Sequence, residues 1–184
     1  MRRVGLLHLN YIVMLAYSDI HLEDLKNLSV QSFTQLLIND LYPFVYAEIN
    51  KLEQRIGQLK PDYDVELLET IEKKIYADFD ALYRKEKLVL FPYVLKLDEE
   101  NTKSENCTPF KNTKLHFTSM VNHITTAREL VSHFFVNDAN NETIIDLNHT
   151  LSHLAETMIE IQFIKEKYFF KNYKNCGGCK PIIE

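Results

Sequence analysis

The chain has only 4 glycines and 5 prolines among 184 residues. An all-β fold needs many tight turns and the residues that make them, so that class is disfavoured from the outset. Cysteine is also scarce: Cys107, Cys176 and Cys179 are too few for a disulfide scaffold. No stretch reaches the roughly 18 uninterrupted apolar residues of a membrane span. No basic cluster offsets the net charge of -5, which speaks against a nucleic-acid footprint. The G-x-S-x-G, H-E-x-x-H and P-loop patterns are absent too, which removes the common hydrolase and nucleotide-binding signatures.

What is present is helical periodicity. Leu37, Leu41, Val45, Ile49, Leu52 and Ile56 recur at helical spacing after Ser32, a plausible N-cap, with Pro43 predicting a kink or a later start. A second helix runs from about Val65 to Phe91 on Leu68, Ile71, Ile75, Phe79, Leu82 and Val89. Residues from about Lys96 to Asn112 read as a long loop. A third helix, from about Thr113 to Phe135, carries His116, Met120, His123, Ala127, Leu130 and Phe134. A fourth, from near Glu142 to about Asn172, carries Leu147, Leu151, Leu154, Met158, Gln162, Glu166 and Phe169. Four apolar stripes bury one another most economically as an all-α, antiparallel four-helix bundle.

Residues 1–31 read as a short N-terminal helical extension, 32–174 as the bundle and 175–184 as a cysteine-containing tail. Met1-Arg2-Arg3 followed by Val4 to Ala16 has the outline of a signal peptide, but His8 and Asn10 interrupt it. The expectation is a cytoplasmic protein.

Extending the second stripe from Leu82 reaches Glu86. A carboxylate on a core-facing stripe is costly unless it is paired, hydrogen-bonded or bound to a cation. Lys85-Glu86-Lys87 is echoed 80 residues later by Lys165-Glu166-Lys167, near the end of the fourth helix. With His123 from the third helix, the two acids predict a polar layer in the bundle interior. Carboxylates and histidines on facing helices are how bundles build metal sites.

Glu86 to Pro92, an acid followed by Leu90-Phe91-Pro92, resembles the acid-then-LFP signature of hemerythrin-like domains. The nearer likeness is to the di-iron proteins that repair iron–sulfur clusters and their Bacteroidetes-type relatives. It runs from about Ser32 to Asn172 and includes Ile49 to Ile56, Met120 to Leu130 and Glu166 to Asn172. The resemblance implies a non-haem iron protein of cluster repair or stress response. Glu86, His123 and Glu166 would be metal ligands, with Gln162 and His116 as additional candidates. It also places a histidine four residues before each acid, where this chain has Leu82 and Gln162. The matching first-helix histidine position is Leu41 or Tyr42.

Two arrangements therefore stand. Glu86, His123 and Glu166 hold iron, zinc or manganese as a mononuclear or di-iron centre. Alternatively the layer holds no metal, His123 pairs with one acid and Gln162 with the other, and the bundle is an interaction or regulatory module. In the metal-free case, Glu86→Gln is expected to leave the melting temperature unchanged or raise it. His149 and His153, four apart, fall on a flank and read as a solvated pair. Cys176-Gly177-Gly178-Cys179 supplies half the ligands of a zinc site, or a redox pair. A non-enzymatic role is favoured, with a protein partner, no nucleic acid and no membrane; the oligomeric state stays open.

Overall fold

The computed structural model describes residues 25, 27–60, 63–103, 108–137 and 141–170. The expected N-terminal helix, Cys107 and the Cys176–Cys179 tail lie outside them. Among the described residues the chain is all helical, without strands, and its four long helices pack together as a bundle. The first long helix comprises α1 (Val30–Leu36), a π-helical turn (Leu37–Leu41) and α2 (Tyr42–Ile56). The second comprises α3 (Val65–Lys85), a π turn (Glu86–Leu90) and α4 (Phe91–Glu99). The third is α5 (Thr108–Asn137). The fourth is α6 (Glu142–Ile164) followed by a π turn (Lys165–Phe169).

Capping explains the starts. Ser29, rather than Ser32, caps α1: its hydroxyl accepts from the Ser32 N–H. The Asp64 and Asn141 side chains accept from Leu67 N–H and Thr143 N–H at the starts of α3 and α6. The second helix does not end at about Phe91, as expected, and runs on through Pro92. The helix continues to Glu99 and ends in a Schellman motif, with Asn101 at φ 48° and Thr102 N–H donating to Leu97 O at 2.9 Å. The predicted long loop, about Lys96 to Asn112, is therefore helical at both its ends, up to Glu99 and from Thr108.

The π turns explain how proline is accommodated. Proline lacks an N–H and crowds the carbonyl four residues back, so an α ladder cannot run through it unaltered. Before Pro43 and Pro92 the ladder widens: Tyr42 N–H bonds Leu37 O and Phe91 N–H bonds Glu86 O, both five residues back. Phe170 N–H bonds Lys165 O in the same way, without a proline. At Pro43 the predicted kink is thus a widened turn in a continuous helix.

Helix neighbours form a closed ring: α2 packs on α3, α3 on α5, α5 on α6 and α6 on α2. Tyr46 pairs with Asp80 and Tyr42 with Glu86, so numbers rise on one helix as they fall on the other. Lys85 and Asp78 meet His116 and His123 in the same opposed order, as do Arg55 and Glu48 with Asp146 and His153. The interior is apolar, built on Leu68, Ile75, Phe79, Leu82, Met120, Ile124, Leu147 and Leu151. Leu25, from the stretch read as an extension, is buried with them. No described helix is long and apolar enough to cross a membrane.

Candidate functional site: a buried phenol, carboxylate and ammonium

Glu86 is on the core-facing stripe, as expected, and only 1% exposed. Its partners come from two other helices. One carboxylate oxygen, Oε1, accepts from Lys165 Nζ at 2.7 Å; the other, Oε2, accepts from the Tyr42 hydroxyl. Lys165 is 0% exposed, and its ammonium also lies 5.9 Å from the Tyr42 ring centroid. Each of the three residues sits at a π turn or directly after one. Burial pushes the Tyr42 phenol well above its ordinary range, and the Glu86 charge adds to the effect.

Lys165 occupies the inward position that the sequence pattern assigned to Glu166. The expected stripe took two successive steps of four, from Met158 to Gln162 to Glu166. Eight residues at about 100° each overshoot two turns by roughly 80°. Steps of three and four through Ile161 reach Lys165 within roughly 20° of the Met158 direction, and Ile161 is fully buried. Glu166 is half-buried on the flank, accepting from Gln162 Nε2 at 3.0 Å. Of the two pairings expected for a metal-free layer, Gln162 does bond one of the acids, whereas His123 bonds neither Glu86 nor Glu166.

On the third helix Met120, Ala127 and Phe134 are buried as expected, but the alternate buried positions are Phe117, Ile124 and Val131, each one residue after the expected His116, His123 and Leu130. His116 and His123 therefore lie at the α3–α5 boundary, where their common partner is Asp78. His123 Nδ1 is 2.9 Å from Asp78 Oδ2, which also accepts from Ser119 Oγ at 2.7 Å. His116 Nδ1 lies 3.8 Å from Asp78 Oδ1. Its Nε2 faces Lys85 Nζ at 2.7 Å; an ammonium can only donate, so Nε2 accepts and the proton is on Nδ1. His149 is exposed, but His153 is not simply solvated. Its Nδ1 sits 2.9 Å from Glu48 Oε2, and Glu48 is buried. Burial raises the Glu48 carboxyl, but bonds from Lys51 and His153 outweigh that and bring it below its ordinary value.

Glu86, His123 and Glu166 are thus held in three separate sets of contacts. The arrangement does not fit an iron centre built on them. An ammonium in contact with Glu86, the buried one of the two candidate acids, opposes a second cation there, and the two remaining donors turn to Asp78 and Gln162. Among the described residues no group of three or more His, Cys, Asp or Glu is placed to hold a metal ion.

Sequence reasoning missed Lys165 and, as part of the layer, Tyr42. Both were reachable by strict three-four alternation: Tyr42, Val45, Ile49, Leu52 and Ile56 form one such series and all are buried. Asp78 and Glu160 carried no comparable signal. Glu160 is buried with its Oε1 lacking a hydrogen-bond partner, and burial, with the nearby Glu156, pushes its carboxyl up to about 7.

A cleft of about 360 Å³ lies beside this layer, lined by Ile38, Tyr42, Pro43, Tyr46, Ala47, Asn50 and Tyr83. No protein-family model matches the chain, and neither does any curated protein or solved structure.

Proposed function

We propose that the chain is an antiparallel, hemerythrin-like bundle that has exchanged a metal for a tethered ammonium and works as a metal-free interaction or regulatory module. The observation that carries this reading is the Lys165–Glu86 pair, 2.7 Å apart and wholly interior. The positive charge that a metal would bring to the acid is supplied by the chain itself. Tyr42 stands at one of the two positions where the resemblance implies a histidine, and its phenol is suited to donate to a carboxylate. The interior layer is then a structural device that sets helix register, a use to which buried polar groups are well suited. Function falls to the surface, where Leu88, Val89 and Leu115 are exposed apolar side chains, and the partner is a protein. A cytoplasmic setting belongs to the same reading.

Elemental analysis tests it. Untagged wild type, made in iron-supplemented cells and purified anaerobically, is compared with Glu86→Ala/His123→Ala. The expected result is no stoichiometric metal in either. Near-stoichiometric iron in the wild type that disappears in the variant would restore the non-haem iron reading and overturn this one.

A further inference from the structure

The Tyr42 phenol is buried, donates to a carboxylate and stands at one end of a line of tyrosine rings. Tyr42 and Tyr83 meet edge to face with centroids 5.6 Å apart and planes at 81°. Tyr83 and Tyr46 meet at 5.9 Å and 86°, and Tyr46 and Tyr76 at 5.9 Å and 54°. Tyr76 is 44% exposed. Four readily oxidised rings thus run from the bundle interior to solvent, supplied alternately by α2 and α3. The cleft lined by Tyr42, Tyr46 and Tyr83 flanks the line.

A phenol is hard to oxidise when its proton has nowhere to go, because the protonated radical is a strong acid. Tyr42 has an acceptor in place in the Glu86 carboxylate, and Lys165 supplies that carboxylate with a counter-charge. Tyr46 has one in Asp80, at 3.0 Å, whereas the Tyr83 hydroxyl accepts from Lys87 Nζ at 3.0 Å, so Tyr83 is a relay for the electron that keeps its own proton. A base within hydrogen-bond reach is the geometric requirement for proton transfer. Tyr42 is the fully enclosed member of the line, where an oxidised ring is shielded from solvent and from coupling with other radicals.

We propose that Tyr76, Tyr46, Tyr83 and Tyr42 form a one-electron path that carries oxidising equivalents from the surface to Tyr42, a buried radical store. The oxidant is a small one-electron acceptor of the radical or high-potential metal-complex class. It takes an electron at Tyr76, which is refilled in turn from Tyr46, Tyr83 and Tyr42. The Tyr42 hydroxyl proton passes to Glu86 Oε2. Tyr76, Tyr46 and Tyr83 end as they began. The net change is a Tyr42 phenoxyl radical, a neutral Glu86 carboxyl and an oxidant reduced by one electron. An electron from a reducing thiolate reverses the step, the proton returning from Glu86 and a thiyl radical leaving.

The test is flash oxidation of the full chain with a photogenerated trivalent ruthenium polypyridyl complex, followed by transient absorbance and freeze-quench electron paramagnetic resonance. Wild type is expected to hold a phenoxyl signal that outlives that of a free tyrosine peptide under the same conditions. Tyr42→Phe loses the long-lived signal, Tyr76→Phe slows its appearance, and Tyr93→Phe, off the line, leaves it intact. Circular dichroism checks each fold. Should Tyr42→Phe fail to fold, Tyr83→Phe decides, since it breaks the line yet keeps the Tyr42–Glu86 bond and is expected to lose the long-lived signal. A wild type without a long-lived phenoxyl, or a long-lived signal that persists in folded Tyr42→Phe or in Tyr83→Phe, overturns the proposal.

Discussion

Removing the charge of Glu86 tests the interior ion pair, because it leaves the Lys165 ammonium buried without a counter-charge. Breaking a buried pair by neutralising one partner costs about 3–5 kcal/mol. That reverses the outcome expected for an unligated acid, for which Glu86→Gln would have been harmless. The penalty also has a ceiling, since the stranded group can shed its charge. An ordinary lysine holds its proton up to about 10.4, so discharging it at pH 7 costs about 4.6 kcal/mol, falling to about 1.9 kcal/mol at pH 9. Discharging a glutamate stranded by Lys165→Met costs about 3.7 kcal/mol at pH 7 and about 1 kcal/mol at pH 5.

The two single variants should therefore respond to pH in opposite directions. In Glu86→Gln the folded-state affinity of Lys165 for its proton falls below the unfolded value, so the deficit relative to wild type shrinks as pH rises from 7 to 9. In Lys165→Met the folded-state affinity of Glu86 rises, so the deficit shrinks as pH falls from 7 to 5. At pH 7 Glu86→Gln should melt roughly 6–18 °C and Lys165→Met roughly 6–15 °C below wild type, at about 2–4 °C per kcal/mol for a domain of this size. The double variant Glu86→Gln/Lys165→Met should recover most of the loss, since neutral replacement of a buried pair is often tolerated. Urea denaturation at pH 5, 7 and 9 reads all three. A Glu86→Gln deficit below about 1 kcal/mol at pH 7, the range of an exposed pair, would refute a desolvated Lys165–Glu86 contact.

Tyr42→Phe should cost about 1.5–3 kcal/mol, the value of a hydrogen bond to a charged group, and equilibrium unfolding at pH 7 would measure it. Glu160→Gln should stabilise the protein at pH 8 and do little at pH 4. The wild-type carboxyl, raised to about 7 in the folded state, loses stability as pH climbs from the ordinary carboxylate range through 7; a flat difference in melting temperature between pH 4 and 8 would count against this. Glu48 has the opposite sign. Its carboxyl is lowered on balance by Lys51 and His153, so its contribution is present above the ordinary carboxylate range and fades as pH falls below it. Glu48→Gln should accordingly destabilise at pH 7 and converge with wild type in acid.

The helices were legible because each is long and amphipathic, and buried positions such as Leu68, Ile71, Ile75, Phe79 and Leu82 recur every three or four residues. The start near Glu142 was legible as well, and Asn141 acts as its cap. Helix phase was less legible. Over the last turns of α6, Gln162 with Glu166 and Ile161 with Lys165 both continue the Leu147 stripe at allowed spacing. A lysine is the less expected choice for an interior, so the pattern pointed to the acid. On α5 the histidines sit one position from the buried series, a difference of about 100° in direction. The π turns left proline as their only trace, and for Lys165–Phe169 not even that.

By itself, then, the sequence determined an all-helical chain, the approximate extents of its four long helices and the inward direction of Glu86 with its need for a partner. Those follow from local periodicity and from the cost of burying charge, both of which act within one helix. The identity of that partner was decided only by the tertiary structure. Lys165 lies 79 residues from Glu86 and Tyr42 lies 44 residues from it. The three meet because the helices pack in a ring and the first, second and fourth each carry a widened turn at that level. The pairing of His123 with Asp78, 45 residues apart, arises in the same way. Helix phase is set when neighbouring faces pack, and a rotation too small to disturb an apolar stripe is enough to exchange a glutamate for a lysine at the centre.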